Sequence, residues 1–529
     1  MTAFGIDLGT TNSCIAYVDA SGHPVVLRNA LGERLTPSVV YFERPHEVIT
    51  GAAARNAALA APELVARLFK RKMGDPDAEY AFHGIRQTPE TISAYLLKDL
   101  AAAASRELGG PATDVVITVP AYFGVAEKEA TRRAGQIAGL TVLDVIPEPV
   151  AAALSHIEAH KSDRVRHLLV YDLGGGTFDT SVIRVDGVQA TVLCTGGDLR
   201  LGGTEWDARI TDHLLDGFVR EHPDRNPADD AAFMLDLRDH AEQIKKDLSG
   251  VQSRQHPVRF DGRITRVTLT RDHLERLTND LLEKTLKITE ETLAAAPGLR
   301  PEEIDEVVLV GGMTRMPVVA ERLRERFGLE VRQHEPDLAV ARGAALFARI
   351  SLPGPAEEVA DQLGVTTEQV ELMRKRRPTG VLPRAFGVKT ADESDPRLHT
   401  DPGNVRLKVF HLLHADTRLP ADTGPVPAVT VIDNQPMVEV EVWESRPGPP
   451  SDELDDNVRI GRGVLRLPPR TPARTMLHIT FYVSETGLLT VTAADPRTGA
   501  ELKLDLTIGM DDAAVAEATG LVARTEVTS

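Results

Sequence analysis

The chain has 529 residues, of which 42% are hydrophobic and 26% are charged, and its formal net charge is −18. This length exceeds what one hydrophobic core organises, so we expect two or three domains of an ordinary globular kind. The negative charge argues against bulk nucleic-acid binding, no apolar run is long enough to span a bilayer, and the two cysteines, Cys14 and Cys194, argue against a disulfide framework.

The first 350 residues alternate strand-like runs with helical segments. We expect strands at the apolar runs Phe4–Leu8, Val115–Val119, Leu168–Tyr171 and Val307–Val310. We expect helices over Ala52–Arg71, Thr88–Glu107 and Val150–His160, and one more within Ala121–Leu140. Because the chain enters a strand at once, we expect no signal peptide and a cytoplasmic location.

Two loops share one pattern, in which an apolar run leads into Asp-Leu-Gly and then threonine. The first is Asp7–Asn12 (D-L-G-T-T-N), and the second is Asp172–Thr177 (D-L-G-G-G-T), with Asp179 close behind. Glycines let backbone N–H groups approach oxyanions closely, and Mg²⁺ keeps most of its waters and needs only one or two carboxylates. One such loop is equally an ordinary hairpin turn, whereas two copies predict a duplicated unit that closes on one nucleotide.

Four segments together resemble the 70-kDa heat-shock protein (Hsp70) family of chaperones, within the actin- and hexokinase-like ATPases. These segments are Asp7–Ser13, Val116–Phe123, Ile137–Leu154 and Tyr171–Asp179. The resemblance is almost continuous over 1–350 and looser over 381–508. It implies an α/β actin-like (duplicated ribonuclease-H-like) ATPase domain over 1–350, followed by an antiparallel β-sandwich, similar to a substrate-binding domain, over 381–510. A helical linker would cover 351–380, and 511–529 would be a short tail without the family's α-helical lid.

The resemblance also implies the cofactors, ATP or ADP with Mg²⁺, and the residues around the phosphates. Asp7, Asp172 and Asp179 would hold Mg²⁺ through water, and Asp172 also counts among the catalytic residues. Backbone N–H groups of both loops would hold the β- and γ-phosphates, from Gly9, Thr10, Thr11, Asn12, Gly174, Gly175, Gly176 and Thr177.

The resemblance also implies which residues act on the attacking water. Lys70 and Glu148 would orient that water, and Thr177 would assist. From the residues alone, another interpretation stays open for each. Lys70 stands in a basic run, Lys70–Lys72, of the kind that a helix C-terminus favours, and Glu148 stands where a helix begins.

The resemblance extends to the adenosine and ribose contacts. The residues concerned are Gly202, Gly203, Glu242, Lys245, Lys246, Ser249, Gly311, Gly312, Arg315 and Asp337. The helix that begins after Gly202-Gly203 would offer N–H groups to an anion, and Arg315 would stack on adenine. The helical spacing of Glu242, Lys245, Lys246 and Ser249 equally fits a solvated face with Glu–Lys pairs, so that alternative stays open.

The chain departs from the family's pattern in regions that matter for partners. Pro147 replaces an Asn, and Asp144 replaces a residue that is often basic on the surface that receives J-domain co-chaperones. That change argues against a J-domain partner, while the resemblance still implies a nucleotide-exchange factor. The family's acidic-and-leucine linker string is missing, so we predict weak coupling between ATP and the binding of unfolded or dedicated protein segments.

Residues 358–377 resemble a helix-turn-helix, with Gly364 at the turn and Thr366 capping the second helix. The basic end, Arg374–Arg377, could meet DNA phosphates. Glu368 and the net negative charge oppose such contact, and a strand-rich domain follows at once. We therefore predict a helical hairpin that packs on the ATPase domain or the sandwich, and no nucleic-acid partner.

The function predicted by the resemblance is that of an ATP-hydrolysing chaperone in protein folding and the stress response. Its partner would be an unfolded peptide or one dedicated client. One alternative is an ATP-gated adaptor for a single protein, which the missing lid and linker string favour. A second is a metabolite kinase on the same fold, which the chaperone-like motifs and the sandwich argue against.

Overall fold

The computed structural model describes residues 2–58, 60–75, 77–159, 164–187, 189–375, 381–382, 384–400, 404–446, 451–484, 489–505 and 512–529. The chain forms two compact units. The first unit comprises Met1–Ala121, Ala130–Pro378 and Asp512–Ser529, and the second comprises Tyr122–Glu129 and Thr379–Asp511. Among the described residues, no helix combines the length and the apolar character that a membrane span requires.

The first unit contains most of the helices and strands. Its strands, in chain order, are β1 (Ala3–Asp7), β2 (Asn12–Val18), β3 (Pro24–Val26), β4 (Thr36–Pro37), β5 (Val39–Arg44), β6 (Glu47–Thr50), β7 (Val65–Arg67), β8 (Tyr80–Phe82), β9 (Ile85–Gln87), β10 (Asp114–Val119), β11 (Thr141–Pro147), β12 (Arg166–Leu173), β13 (Phe178–Asp186), β14 (Gln189–Asp198), β15 (Ser253–Phe260), β16 (Arg263–Thr270), β17 (Glu306–Val310) and β18 (Val331–Gln333). The helices up to residue 375 are α1 (Gly51–Ala57), α2 (Pro89–Leu108), α3 (Val125–Ile137), α4 (Glu148–Ala159), α5 (Gly203–Glu221), α6 (Ala231–Gly250), α7 (Arg271–Leu277), α8 (Asn279–Ala295), α9 (Pro317–Phe327), α10 (Ala339–Ser351), α11 (Ala356–Leu363) and α12 (Thr367–Lys375).

Two mixed sheets of the first unit repeat one strand order. The first runs β3-β2-β1-β10-β11, and the second runs β14-β13-β12-β17-β18. In each sheet the central strand is antiparallel to the strand that follows it and parallel to the strand on its other side. Asp7 at the end of β1 and Asp172 near the end of β12 therefore occupy equivalent positions, as expected for a duplicated strand–loop unit.

Helix α10 packs closely on strand β1 and helix α4 because the facing residues are small. A Cβ added at Gly5 would lie 2.1 Å from the backbone nitrogen of Ala345, and one added at Gly343 would lie 1.7 Å from the carbonyl oxygen of Ala151. Cβ atoms do not approach backbone atoms so closely, so only glycine fits at these contacts. The contacts fix β1, which carries Asp7, against the helices behind it.

The helix expected over Ala52–Arg71 is interrupted in the structure. Helix α1 ends at Ala57, a 3₁₀ turn covers Pro62–Leu64, and Val65–Arg67 forms β7, which pairs antiparallel with β5. The alanine-rich composition favours a helix, but pairing with β5 outweighs that local preference. The residues after β7 consequently enter a short 3₁₀ helix, Phe69–Lys72, by way of Leu68, whose φ is 56°.

The predicted helical hairpin is present as α11 and α12, and it lies in the first unit. Gly364 adopts a left-handed φ of 63° at the turn, and the Thr366 hydroxyl accepts the N–H of Gln369. The Arg374 guanidinium donates to the carbonyl oxygens of Ile350, in the last turn of α10, and of Leu352 and Gly354, just after that helix. Arg374 is thus engaged inside the protein, while Arg376 and Arg377 lie outside the described residues.

The second unit is built from antiparallel strands. They are β19 (Phe386–Ala391), β20 (Leu407–Leu413), β21 (Ala421–Asp422), β22 (Val426–Val429), β23 (Met437–Ser445), β24 (Asn457–Arg466), β25 (Met476–Val483), β26 (Leu489–Asp495) and β27 (Ala500–Asp505). One sheet runs β20-β19-β23-β24, and the other runs β21-β25-β26-β27 with β22 also paired to β25. Phe386 and Val442 of the first sheet share one buried cluster with Phe481 and Val491 of the second. The linking stretches 376–380 and 506–511 lie outside the described residues.

Residues 512–529 return to the first unit, although a short tail was expected there. They form helix α13 (Asp512–Arg524) and strand β28 (Glu526–Thr528), which pairs in parallel with β6. The Lys98 ammonium of α2 donates to the carbonyl oxygens of Val522 and Thr525 at 2.9 and 3.0 Å. A cation at these carbonyls stabilises the end of α13, so this segment is part of the fold of the first unit.

Replacing Val522 with aspartate is expected to destabilise the first unit, because Val522 is 1% exposed. A buried, unpaired carboxylate should lower the free energy of unfolding by about 3 kcal/mol. Ala523→Asp is the matched control, since Ala523 is the exposed neighbour on the same helix. Urea unfolding of the full chain measures both variants, and equal midpoints would mean that α13 is not docked.

Candidate active site

The carboxylates of Asp7, Asp172, Asp179 and Glu148 gather where the two repeated sheets end. Asp172 and Asp179 are direct partners across β12 and β13, and Asp172, Asp179 and Glu148 are each less than 10% exposed. Burial raises the pKa of Asp7 to about 7, with repulsion by Glu148 adding to the rise and Lys70 opposing it. Burial, Glu148 and Asp7 likewise raise the pKa of Asp172 well above its usual range.

Such a cluster fits a hydrated divalent cation. Its carboxyls repel one another when ionised, so a nearby cation favours their charged forms. Among the described residues, no group of three His, Cys, Asp or Glu side chains forms a direct metal-ligand set. Contact of these carboxylates with Mg²⁺ through water stays a prediction.

Lys70 forms a buried ion pair with Glu148. Its Nζ lies 2.8 Å from Glu148 Oε1, and the two side chains are 3% and 9% exposed. Lys70 stands in the 3₁₀ helix Phe69–Lys72, after strand β7, so it does not end the long helix that was expected over Ala52–Arg71. Glu148 is the first residue of α4, as the sequence suggested. The pair therefore places the positively charged Lys70 ammonium beside the carboxylates of Asp7 and Asp172.

The two glycine-containing loops lie directly against each other. A Cβ on Gly175 would come 2.2 Å from the Thr11 hydroxyl oxygen, and one on Gly176 would come 2.3 Å from Cγ2 of Thr10. The second loop is closed by a hydrogen bond of 3.0 Å from the N–H of Gly174 to the carbonyl oxygen of Thr177. The structure thus brings together the two loops that the repeated Asp-Leu-Gly pattern predicted to close on one nucleotide.

The start of helix α5 holds the second loop from its other side. The N–H groups of Gly203 and Thr204 donate to the carbonyl oxygens of Gly174 and Gly175 at 3.0 and 2.8 Å, and the N–H of Gly202 donates to Glu205. These N–H groups, which the sequence suggested as an anion site, are therefore engaged within the protein. The role of Gly202 and Gly203 in nucleotide binding stays a prediction.

Lys245, on helix α6, contacts the start of helix α5. Its ammonium lies 2.7 Å from Asp207 and donates to the carbonyl oxygen of Gly203 at 2.9 Å. Burial raises the pKa of Asp207 to about 6 even though Lys245 opposes the shift. Glu242 and Lys246 form an ion pair of 2.6 Å on the more exposed side of α6, so the solvated Glu–Lys pair that the spacing allowed is formed.

Ser249 is the last of the predicted adenosine contacts on α6. Its hydroxyl donates to the carbonyl oxygen of Lys245, one turn earlier, at 3.3 Å. A serine within a helix readily makes this local hydrogen bond, so the bond by itself does not indicate a ligand. The role of Ser249 in nucleotide binding therefore stays a prediction, together with those of Glu242 and Lys246.

The turn after β17 lies beside the carboxylate cluster. A Cβ on Gly311 would come 2.6 Å from Asp172 Oδ1, and one on Gly312 would come 2.9 Å from Asp337 Oδ1. Asp337 also accepts a hydrogen bond of 2.6 Å from Nε of Arg315. Gly311, Gly312, Arg315 and Asp337 are therefore gathered next to Asp172, and their contacts with adenosine stay a prediction.

Sequence reasoning assigned no role to Arg71, Thr118 or Asp207. The Thr118 hydroxyl of β10 lies 3.4 Å from Asp7 Oδ1, and Arg71 reaches the second loop. The sequence held one signal for Arg71, its position directly after Lys70. Asp207 closely follows the Gly202-Gly203 pair in the sequence, where only the backbone N–H groups at the helix start were expected to bind an anion.

Comparison with protein families identifies the first part of the chain. A family model described as "Hsp70 protein" matches residues 3–81 and 74–365, which is more than half of the chain. The matched region contains both loops, Lys70, Glu148 and the turn after β17. Members of this family are chaperone-like ATPases that bind ATP or ADP with Mg²⁺. The chain belongs to the Hsp70 family.

Proposed function

We propose that this protein hydrolyses ATP to ADP and phosphate and uses that cycle to bind protein segments. The observation that carries the proposal is the meeting of the two Asp-Leu-Gly loops beside a buried Lys70–Glu148 pair. Phosphoryl transfer needs positioning and charge stabilisation rather than covalent chemistry from the protein. Backbone donors, a buried cation and a carboxylate cluster supply those elements.

Each group has a defined task in this proposal. Backbone N–H groups of Gly9–Asn12 and Gly174–Thr177 donate to the β- and γ-phosphate oxygens. Lys70 and Glu148 orient the attacking water, and the Thr177 hydroxyl assists. Asp7, Asp172 and Asp179 would hold hydrated Mg²⁺, which neutralises charge on the phosphates when bound.

The base and the sugar are proposed to lie at the turn after β17 and along α6. Gly311 and Gly312 are proposed to lie against adenine, and any side chain at these positions would collide with Asp172 or Asp337. Arg315 stacks on the purine, and its ion pair with Asp337 holds the guanidinium in place on the ribose side. Lys245 is anchored on Gly203 and Asp207, so it joins α6 to the start of α5.

The second unit is proposed to be a β-sandwich that binds an extended apolar segment. Five large apolar side chains are about half exposed around one turn, namely Val429, Val431, Ile432, Met437 and Met476. Val429 and Met476 are direct partners between β22 and β25. The Gln435 side chain ties the turn by accepting the N–H of Val431 and donating to the carbonyl oxygen of Met437. An exposed apolar group on a tied turn supports contact with a peptide.

An ATP-gated adaptor for one dedicated partner is the second candidate function. The segment after α10 is a folded hairpin held by Arg374 and by a hydrogen bond of 2.7 Å from Gln362 to the carbonyl oxygen of Asp19. A hairpin fixed in this way favours weaker transmission between nucleotide and peptide than a free linker would give. A nucleotide-exchange factor remains part of the proposal, and a J-domain partner does not.

Single-turnover phosphate release, with and without a short apolar peptide, tests the proposal. We expect release from ATP alone, with stimulation by peptide below the roughly fivefold that marks the lower end of typical allosteric coupling. A rate of phosphate release that no peptide changes would favour the adaptor. ATP turnover that appears only with a small-molecule acceptor would instead identify a kinase and overturn the proposal.

A further inference from the structure

The side chain of Arg71 lies against the second glycine loop, and the nucleotide site described above leaves it unused. Arg71 follows Lys70 in the same 3₁₀ helix, and its side chain is 19% exposed. Its Nη2 donates to the carbonyl oxygen of Gly176, to the Thr204 hydroxyl at 2.9 Å and to the Glu205 carboxylate at 3.2 Å. One guanidinium therefore joins the turn that carries Lys70, the second loop and the start of α5.

These contacts complete a set of donors on one side of the loop. The carbonyl oxygens of Gly174 and Gly175 accept the N–H groups of Gly203 and Thr204, and the carbonyl oxygen of Gly176 accepts Arg71. In a trans peptide, each carbonyl and the N–H of the next residue point in opposite directions. Because donors hold the carbonyl oxygens of residues 174–176 on one side of the loop, the N–H groups of residues 175–177 point to the opposite side of the loop.

The hydrogen bond from Arg71 fixes the orientation of the last of these peptide groups, the one between Gly176 and Thr177. The peptides before it are fixed by backbone donors of α5, which no side-chain substitution removes. Glu205 keeps the N–H of Gly202 and the Thr204 hydroxyl as partners, at 2.8 and 3.0 Å, when Arg71 is absent. Loss of Arg71 should consequently release one peptide of the loop while α5 stays in place.

We propose that Arg71 is a positioning residue for phosphate binding, which fixes the Gly176–Thr177 peptide so that the Thr177 N–H faces the phosphates. The inference rests on the proposed ATP-binding function and adds a residue to it. Arginine suits the role because its guanidinium stays charged and places Nη2 within reach of a carbonyl, a hydroxyl and a carboxylate. A lysine at the same position keeps the charge on a side chain that is one atom shorter.

Nucleotide affinities of the full chain, measured by calorimetry, test the inference with three variants. Arg71→Met should weaken ATP and ADP about tenfold or more, as expected for hydrogen bonds to charged groups. Its affinity for adenosine should stay unchanged, because adenosine carries no phosphate. Arg71→Lys should recover part of the loss, and it keeps the test decisive if the methionine variant does not fold. The KM for ATP should rise more than kcat falls, because the loop holds the phosphates before and during the reaction.

Arg67→Met is the matched control, since Arg67 is another partly buried arginine paired to a carboxylate, Asp239, at 2.9 Å. It should leave the affinities for ATP and adenosine unchanged. Unchanged ATP affinity in Arg71→Met, or equal losses for ATP and adenosine, would overturn the inference while leaving the proposed function standing. A wild-type chain that binds no ATP would overturn both.

Discussion

Replacing Lys70 with alanine is expected to lower the single-turnover rate of ATP hydrolysis by about 100- to 1,000-fold, the usual effect of removing one group that stabilises a transition state. Lys70 is 3% exposed and paired with Glu148 at 2.8 Å, so its charge acts in a site from which water is largely excluded. ATP affinity should change far less, because Lys70 lies outside both phosphate loops. Rapid-quench measurement of the rate, with calorimetry for affinity, separates the two effects.

Lys72→Ala is the matched control for this experiment. Lys72 belongs to the same turn, but its side chain is 57% exposed and lies 3.7 Å from Asp75. The control should hydrolyse ATP at the wild-type rate. If Lys70→Ala also keeps most of that rate, the buried pair is structural, and hydrolysis depends on other groups.

Replacing Gly202 with alanine is expected to disrupt the second phosphate loop. Gly202 has an extended φ of −169°, which any residue can adopt, so the constraint is space. An added Cβ would lie 2.6 Å from the backbone nitrogen of Thr177 and 2.6 Å from the carbonyl carbon of Gly176. The loop must shift to relieve this overlap, at a cost of roughly 1–3 kcal/mol in stability, and ATP affinity should fall about tenfold.

Gly250→Ala serves as the control, because Gly250 ends helix α6 and no neighbouring heavy atom lies within 4 Å of an added Cβ. Titration with ATP and urea unfolding should both give values close to wild type for this variant. A Gly202→Ala protein with unchanged ATP affinity would show that the spacing between α5 and the loop does not matter for binding.

The position of the two loops could be predicted from the sequence because both end apolar strands with the same Asp-Leu-Gly pattern. Their contact could not, since it depends on how two sheets far apart in sequence are arranged. Thr11 and Gly175, which touch, are separated by 164 residues of chain, about a third of the 529. A local pattern identifies each loop but does not predict how far apart the two loops lie in the folded protein.

The surroundings of Lys70 show the limit of local propensity. The alanine-rich run after Gly51 favours a helix, and the basic residues after it fit a helix end. Pairing of β7 with β5 replaces the second half of that helix, and the turn that follows buries Lys70. Only the tertiary pairing distinguishes a buried lysine from an exposed one.

Residues 512–529 also form a tertiary pairing that their local sequence does not indicate, in this case with a strand far away in the sequence. Their composition allows a helix, yet nothing local indicates that Glu526–Thr528 pairs with β6, near the other end of the chain. The hairpin of α11 and α12 was easier to predict, because its glycine turn and its threonine cap lie within a few residues of each other.

The most direct test of Mg²⁺-dependent ATP binding is calorimetric titration of the full chain with ATP, in Mg²⁺ and again with the metal chelated. Burial and neighbouring carboxylates raise the pKa values of Asp7 and Asp172, and a divalent cation close to them would favour their charged forms. We expect saturable binding heat in Mg²⁺ that is strongly reduced by chelation. Absence of heat with both ATP and ADP, or equal affinity with and without Mg²⁺, would contradict it.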